Sequence, residues 1–372
     1  MLASVSGLTV YAAAFTSLLP IAGLALPVMT LALCTERGTR FLVALAVQIA
    51  LWSHVPFALM AYGVEPAFAF GAASLGALGH AGLLAALPPW ASLPIWACSP
   101  FAFGHPWLGI FSVLPDGLPA WSVGAALLLS CLAGYRPMVL GGGVALGFFL
   151  IAINIVAEGV TPKASAAESK VGTVVLGVDT VIAGKALLAV TEWETAREAV
   201  RAALAASKQP PSAILLPEAV VSRDPARADQ FFKGLAKHVE ADLFVGVDRA
   251  GEQVIRHYPA SAYGAPSDVY AQVQGVPFLT GTGVAAPFRY FAQEPWIASD
   301  GMSLRFMICY ELFLPLPWLA TRLGSNSVAI AASDDWGMPA SLALARGKLI
   351  SALGDQNSTI IAVNNRREPN GN

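Results

Sequence analysis

The most informative segment of this chain reads Arg305-Phe306-Met307-Ile308-Cys309-Tyr310-Glu311-Leu312-Phe313-Leu314-Pro315. A short apolar run ends at Cys309, and such a run predicts a buried strand. A cysteine at the exit of a strand sits on a rigid element, with its sulfur where a substrate can reach it. The segment therefore predicts a thiol nucleophile at a strand end, with a carboxylate, Glu311, two residues further on.

The first 157 residues predict a different environment from the rest of the chain. Charged residues make up 12% of the whole sequence, against about 25% in a typical protein. Six of them precede Glu158, namely Glu36, Arg37, Arg40, Glu65, Asp116 and Arg136. Apolar stretches of about the length of a membrane span run over 7–34, 41–63, 66–88, 92–115, 119–135 and 137–157. We predict a polytopic α-helical membrane domain over 1–157 with six spans, five or seven being open alternatives.

The loop charges predict the orientation of these spans. Arg37, Arg40 and Arg136 lie on one side under a six-span count, and Glu65 and Asp116 lie on the other. The positive-inside rule places the basic side in the cytoplasm. We therefore expect a multi-pass membrane protein whose carboxy-terminal domain lies outside the cytoplasm.

Residues 158–170 are small and polar, which indicates a linker, and an α/β domain is predicted over 171–372. Short apolar runs there alternate with helical patterns, as expected for strands and helices in layers. The predicted strands are Val171–Val178, Ala213–Leu216, Leu243–Val247, Val254–Tyr258, Leu304–Ile308, Ser327–Ala332 and Thr359–Val363. The predicted helices are Glu192–Ser207, Pro225–Glu240, 315–323 and 339–353.

A cysteine nucleophile needs a base and a donor for the oxyanion that forms on the attacked carbonyl. Glu218 is the base candidate, because it follows the predicted strand ending at Leu216. Taken alone, a glutamate in the position of Glu218 is more often a carboxylate at a helix start, and a cysteine like Cys309 is more often a buried, inert thiol.

The five histidines lack ligand spacing, so neither a metal nor another cofactor is predicted. The net charge of −2 argues against nucleic-acid binding.

Several motifs together resemble the carbon–nitrogen hydrolase (nitrilase) superfamily. They are Leu215-Leu-Pro-Glu218, the Cys309 segment, Tyr270-Ala-Gln-Val-Gln-Gly-Val-Pro-Phe278, Ser333-Asp-Asp-Trp336 and Ala362-Val-Asn364. With a membrane region before them, they are similar to the apolipoprotein N-acyltransferase branch. This resemblance implies a bacterial inner membrane, with the α/β domain on the periplasmic side. The resemblance implies an αββα sandwich and a Glu–Lys–Cys triad. Glu218 would be the general base and Cys309 the acyl carrier, while Tyr310, Glu311 and Trp336 would contact substrate.

The sequence departs from this family at two functional positions. Gln272 stands where the triad lysine is expected, and Leu279 and Thr280 stand where a second glutamate is expected. A glutamine brings no positive charge to an oxyanion, and losing a charged donor costs on the order of a hundredfold in rate. Arg289 is a candidate for supplying that charge, although a single basic residue is more often structural.

Three hypotheses remain open from the sequence. The first is an enzyme that forms a thioester at Cys309 with an acyl group from a phospholipid or a lipid-linked substrate. The second is a catalytically impaired domain that binds or assembles conjugation-apparatus proteins, because the architecture, which lacks the family's final transmembrane helix, is also similar to that of TraB-type conjugal transfer proteins. The third is a membrane-anchored scaffold in which Cys309 is a packing residue.

Overall fold

The computed structural model describes residues 36–53, 55–61, 63–88, 173–182, 189–221, 225–249, 252–261, 264–273, 289–313, 317, 327–334, 350 and 359–367. The chain divides into two compact units. The first consists of Met1–Val160, Phe313–Pro315 and Met338–Asn357, and the second of Thr161–Leu312, Leu316–Gly337 and Ser358–Asn372. The predicted linker, 158–170, lies outside the described residues.

The described part of the first unit is helical. It contains α1 (Arg37–Trp52), α2 (Val55–Ala61) and α3 (Pro66–Ala86). The start of α1 lies beside the end of α3, since Arg40 Nη1 donates a hydrogen bond of 2.8 Å to the Leu87 carbonyl. The two helices pack closely because alanines line the buried face of α3 and because Gly76 leaves room for the Trp52 ring. A Cβ at position 76 would lie 2.4 Å from that ring.

Two described helices are long and apolar enough to cross a membrane, Arg37–Phe57 and Pro66–Ala86. They correspond to the predicted spans 41–63 and 66–88, the first of which is interrupted after Trp52. The predicted spans 7–34, 92–115, 119–135 and 137–157 lie outside the described residues. The count of six spans and their orientation stay predictions.

The second unit contains two five-stranded sheets and the helices that cover one of them. Its elements are β1 (Val175–Gly177), β2 (Thr180–Ile182), α4 (Ala189–Ala206), β3 (Ala213–Leu215), α5 (Pro225–Val239), β4 (Asp242–Arg249), β5 (Glu252–Tyr258), β6 (Ser267–Ala271), α6 (Arg289–Ala292), β7 (Trp296–Ile297), β8 (Ser303–Ile308), β9 (Ser327–Asp334) and β10 (Thr359–Arg367). The first sheet has the order β1-β3-β4-β5-β6 and the second β2-β10-β9-β8-β7.

The alternation of side chains along the strands builds two hydrophobic layers. On one face of the first sheet, Ile214 and Leu216 pack against Trp193 of α4 and Phe232 of α5. On the opposite face, residues such as Leu215 pack against the second sheet. The described residues of this unit therefore form a helix–sheet–sheet arrangement, which confirms the predicted facing sheets and one helical layer. The other predicted helices, 315–323 and 339–353, fall largely outside the described residues.

Most predicted elements of this unit are confirmed, and the exceptions have physical reasons. The strand predicted over Val171–Val178 is wrong in extent, because β1 covers Val175–Gly177 and the chain then crosses to the second sheet as β2. The strand predicted to end at Val363 continues to Arg367, because its polar end pairs with β2 and β9. The short elements β6, β7 and α6 lack the apolar runs from which the strands and helices were predicted.

Candidate active site

Cys309 lies at the end of β8, where the backbone turns sharply into a 3-10 helix, Cys309–Phe313. Its φ is 43°, a left-handed conformation that a residue with a Cβ rarely adopts. The five residues of β8 before it are buried, whereas Cys309 is partly exposed. Backbone strain of this kind collects at functional sites. The turn therefore presents the sulfur at the rim of a rigid, buried strand, as expected for a nucleophile.

Glu218 is held by a close approach between two backbone segments. After β3 the chain passes close to the middle of β4, where the Gly246 N–H donates a hydrogen bond of 3.1 Å to the Pro217 carbonyl. A Cβ on Gly246 would lie 2.2 Å from that oxygen and 2.5 Å from the Glu218 Cα. The next residue, Ala219, is left-handed with a φ of 55°. The position of Glu218 therefore requires a glycine at position 246.

Gln272 lies directly against the strand that carries the nucleophile. Its Nε2 donates a hydrogen bond of 3.3 Å to the carbonyl of Ile308, the residue before Cys309. The side chain is 6% exposed, and its Oε1 has no hydrogen-bond partner among the described residues. Such a buried acceptor costs on the order of 1–3 kcal/mol. The position predicted for the triad lysine is thus beside the nucleophile, but the amide there donates to the backbone.

The strand directions bring these three residues to the same end of the sandwich. The strands β3 and β4 run parallel, and β6 is antiparallel to β5, which is antiparallel to β4. The carboxyl ends of β3 and β6 therefore lie at the same end of the first sheet, and Glu218 and Gln272 follow these two strand ends. Cys309 follows β8 of the second sheet, and the hydrogen bond between Gln272 and Ile308 joins the two edges.

Glu311 is fully buried, and three donors among the described residues give hydrogen bonds to its carboxylate. The donors are the Tyr270 hydroxyl at 2.8 Å, the Val273 N–H at 2.7 Å and the Ile308 N–H at 2.9 Å. Burial, followed by the charge of Glu311, raises the pKa of Tyr270 well above its ordinary value. These contacts tie the end of β6 to the end of β8. The predicted contact of Glu311 with substrate stays a prediction.

The other predicted site residues are described only in part. Tyr310 is 1% exposed, which places its ring inside the protein beside Cys309. Trp336 lies outside the described residues, as does the side chain of Arg289. Asn364 is buried near the end of β10, where its backbone N–H donates a hydrogen bond of 2.9 Å to Asp179. The substrate-binding role of Tyr310 and Trp336 stays a prediction.

Two buried polar residues near the site were missed by the sequence reasoning. Arg305 is 8% exposed on β8 and donates through Nη1 to the Tyr290 carbonyl, at 3.1 Å. Tyr290 is 5% exposed on the short helix α6. The only available signal was a charged residue inside the apolar run that forms β8.

Among the described residues, no group of three or more His, Cys, Asp or Glu side chains is placed to hold a metal ion.

Comparisons with known proteins gave matches among solved structures. No family model and no curated protein matches the chain. A cysteine-to-alanine variant of the Nesterenkonia AN1 amidase, described as a nitrilase-superfamily protein, is similar over 51% of this chain and 75% of its own, with 17% identity and a TM-score of 0.39. The amidase from Nesterenkonia sp. gives the same coverages, with 18% identity and a TM-score of 0.35.

A third structure of that amidase carries the acetamide moiety of fluoroacetamide on its active-site cysteine. It covers 51% of this chain and 75% of its own, with 17% identity and a TM-score of 0.37. Sequence identities and TM-scores at this level do not assign the chain to a family.

Proposed function

We propose that this chain is a membrane-anchored enzyme of the nitrilase superfamily that transfers or hydrolyses acyl groups through a thioester at Cys309. The observation that carries the proposal is the placement of Cys309. It stands in a left-handed turn at the end of a buried strand, and it is partly exposed. Strain of this kind needs a compensating role, and presentation of a nucleophile is one.

The proposed reaction divides into two steps. The Cys309 sulfur attacks the carbonyl carbon of an ester or amide while Glu218 takes the thiol proton. The carbon–sulfur bond forms, the bond to the leaving group breaks, and the proton passes to the leaving group. An amine acceptor or water then attacks the thioester carbonyl carbon, and Glu218 accepts its proton. The carbon–sulfur bond breaks, the acylated product leaves, and the proton passes from Glu218 to the Cys309 sulfur. In this reaction Gln272 holds the end of β6 against the end of β8 through its hydrogen bond to the Ile308 carbonyl, and it contributes no charge.

The exposed apolar side chains of the helical unit support a membrane location. Leu42 on α1 is 58% exposed, and Phe68 and Leu75 on α3 are 59% and 72% exposed. The helix Pro66–Ala86 has 21 residues, a length of about 31 Å, close to the thickness of a bilayer's hydrocarbon core. We propose that these side chains contact lipid and that the α/β unit lies on the periplasmic side of an inner membrane.

This location favours a lipid-linked substrate. Lateral diffusion in the bilayer delivers a phospholipid acyl donor to a site anchored beside it, and an amine is the proposed acceptor. By resemblance to TraB-type proteins, we further propose a role in plasmid conjugation at the membrane rather than on DNA.

A second candidate function is favoured by Gln272. Its Nε2 is engaged with the Ile308 carbonyl, and a neutral amide cannot stabilise a thiolate by charge. In this alternative the domain no longer catalyses acyl transfer and serves as a binding or assembly component of a conjugation apparatus.

Intact-mass spectrometry separates the two candidates. The test protein is the full chain with Cys34, Cys98 and Cys131 replaced by Ser, incubated with phospholipid vesicles. The enzyme hypothesis predicts a hydroxylamine-sensitive acyl adduct that is lost on Cys309→Ala. The alternative predicts no adduct in this protein and an adduct after Gln272→Lys. If neither protein is labelled, by phospholipid or by an activated ester, the thioester proposal is wrong.

The proposed topology is tested separately. A reporter enzyme that folds only outside the cytoplasm is fused after Asn372, and activity is expected. Activity confined to a cytoplasmic reporter at the same position would reverse the orientation.

A further inference from the structure

The short helix α6 is fastened to both strands that end at the candidate site. Arg305 on β8 donates a hydrogen bond of 3.1 Å to the Tyr290 carbonyl. Gln293, just after α6, donates through Nε2 to the Ala271 carbonyl at 2.8 Å. Ala271 precedes Gln272, and β8 leads directly into Cys309. The backbone of Tyr290 is therefore held between the segment of the missing lysine and the segment of the nucleophile.

The hydroxyl of Tyr290 is a buried donor without an acceptor among the described residues. The side chain is 5% exposed, and its hydroxyl has no hydrogen-bond partner in the part of the chain that the structure describes. Burial raises the pKa of Tyr290, and the nearby Glu311 carboxylate and Tyr310 hydroxyl raise it further. The hydroxyl therefore remains protonated, in the electrostatic field of the two residues that follow Cys309.

We propose that the Tyr290 hydroxyl is the donor that stabilises the oxyanion on the acyl group of Cys309, in place of the ammonium group that Gln272 does not supply. This inference rests on the proposed thioester chemistry and adds a catalytic residue to it. A buried donor without an acceptor is preorganised for a charge that develops only during the reaction.

The Tyr290 proton is shared and not transferred in this scheme. When the Cys309 sulfur attacks, the carbonyl electron pair moves to oxygen, and the Tyr290 O–H donates a hydrogen bond to that oxygen. When the intermediate collapses, the pair returns, the bond to the leaving group breaks, and the leaving group takes the proton held by Glu218. The hydroxyl is unchanged at the end of the step.

The test compares two tyrosine-to-phenylalanine variants of the full chain in detergent, with Cys34, Cys98 and Cys131 replaced by Ser so that Cys309 is the remaining thiol. Tyr290→Phe removes the proposed donor. Tyr258→Phe is the matched control, because Tyr258 is also buried but its hydroxyl donates to Asp229 at 2.8 Å, among residues of α5 and β5. Each protein is acylated with p-nitrophenyl acetate under single-turnover conditions. A parallel sample is alkylated with iodoacetamide, a displacement at Cys309 that forms no oxyanion.

We expect Tyr290→Phe to slow acylation by about a hundredfold, with little change in half-saturation or in the alkylation rate. Its unfolding midpoint should not fall, since the lost hydroxyl has no hydrogen-bond partner among the described residues. Tyr258→Phe should lower the unfolding midpoint and leave acylation unchanged. Fluorotyrosine at position 290, a stronger donor, should acylate at least as fast as the native chain.

Two results contradict these expectations in distinguishable ways. Acylation of Tyr290→Phe within twofold of the native rate would overturn the role of Tyr290 and leave the thioester proposal standing. A native chain that is alkylated at Cys309 but never acylated would overturn the proposed function, and the role of Tyr290 with it.

Discussion

The Tyr270 hydroxyl donates a hydrogen bond of 2.8 Å to the Glu311 carboxylate, and this bond joins the edge strand of one sheet to the turn that carries Cys309 in the other. The same carboxylate accepts the backbone N–H groups of Val273 and Ile308. A fully buried carboxylate with three donors acts as a clamp across the sandwich, because each donor would be left unpaired without it.

Replacing this carboxylate should destabilise the α/β unit. In Glu311→Gln, an amide NH₂ faces donors that need an acceptor, so we expect the free energy of unfolding to fall by about 2 kcal/mol. Urea unfolding followed by tryptophan fluorescence measures the change. The control is Glu252→Gln at the exposed start of β5, where a change within about 0.5 kcal/mol is expected. Equal stabilities of the two variants would contradict the clamp.

Gly246→Ala should impair catalysis by displacing the proposed base. The new Cβ would lie 2.5 Å from the Glu218 Cα, so the backbone there must move. We expect at least a tenfold loss of acylation, since small displacements of a catalytic group are costly. Gly234→Ala in α5 is the control, because a Cβ there meets no atom within 4 Å. That variant should keep full activity and gain about 0.5–1 kcal/mol of stability.

If native acylation remained in Gly246→Ala, the close approach would not position Glu218 for the reaction. A comparison with Glu218→Gln, which should abolish acylation in both backgrounds, shows whether any remaining rate depends on that carboxylate.

Gln272→Lys should change the ionisation of the nucleophile. A lysine ammonium beside the Ile308 carbonyl would favour the Cys309 thiolate and lower its pKa. Iodoacetamide alkylation followed against pH should then reach its plateau at lower pH, and acylation should rise about tenfold or more. Gln272→Met, of similar size but without charge or amide, is the control and should not shift the profile. An unshifted profile in Gln272→Lys would place position 272 too far from the sulfur.

The acid stability of the domain should depend on a partly buried pair, His257 and Asp242. His257 bonds to Asp242 at 2.9 Å, and the Ala260 N–H donates to the same carboxylate at 2.8 Å. Burial acts to raise the pKa of Asp242, but the His257 and Ala260 hydrogen bonds outweigh it and lower the pKa below its ordinary value. A depressed folded pKa contributes stability above the unfolded pKa, and this contribution is lost as the pH falls through the folded value.

The native chain should therefore lose stability below about pH 4, and Asp242→Asn should flatten this part of the curve. His257→Phe is the informative partner variant, because it keeps a ring against Phe244 while removing the hydrogen bond. It should flatten the curve as well. Unfolding free energies measured between pH 3 and 7 check both expectations, and a native slope retained in Asp242→Asn would assign the acid loss to other carboxylates.

The strands and helices of the α/β unit were largely predictable, because burial of a strand or helix leaves its period in the sequence. The strand before Cys309 and the strand before Glu218 are apolar runs ended by a polar residue, so both site residues could be found without coordinates. Elements such as β6 and β7 could not, because edge strands are short and half exposed and thus lack a continuous apolar signal.

The sequence by itself determined the two-part character of the chain, the α/β alternation and the placement of Cys309 and Glu218 at strand ends. The tertiary structure alone decided which groups surround them. Glu311 stands two residues after the nucleophile, and only the left-handed turn at Cys309 directs its carboxylate inward to Tyr270. The segment that carries Tyr290 is held at the site by the hydrogen bonds from Arg305 to the Tyr290 carbonyl and from Gln293 to the Ala271 carbonyl. Such contacts between distant segments leave no periodic signal in the chain.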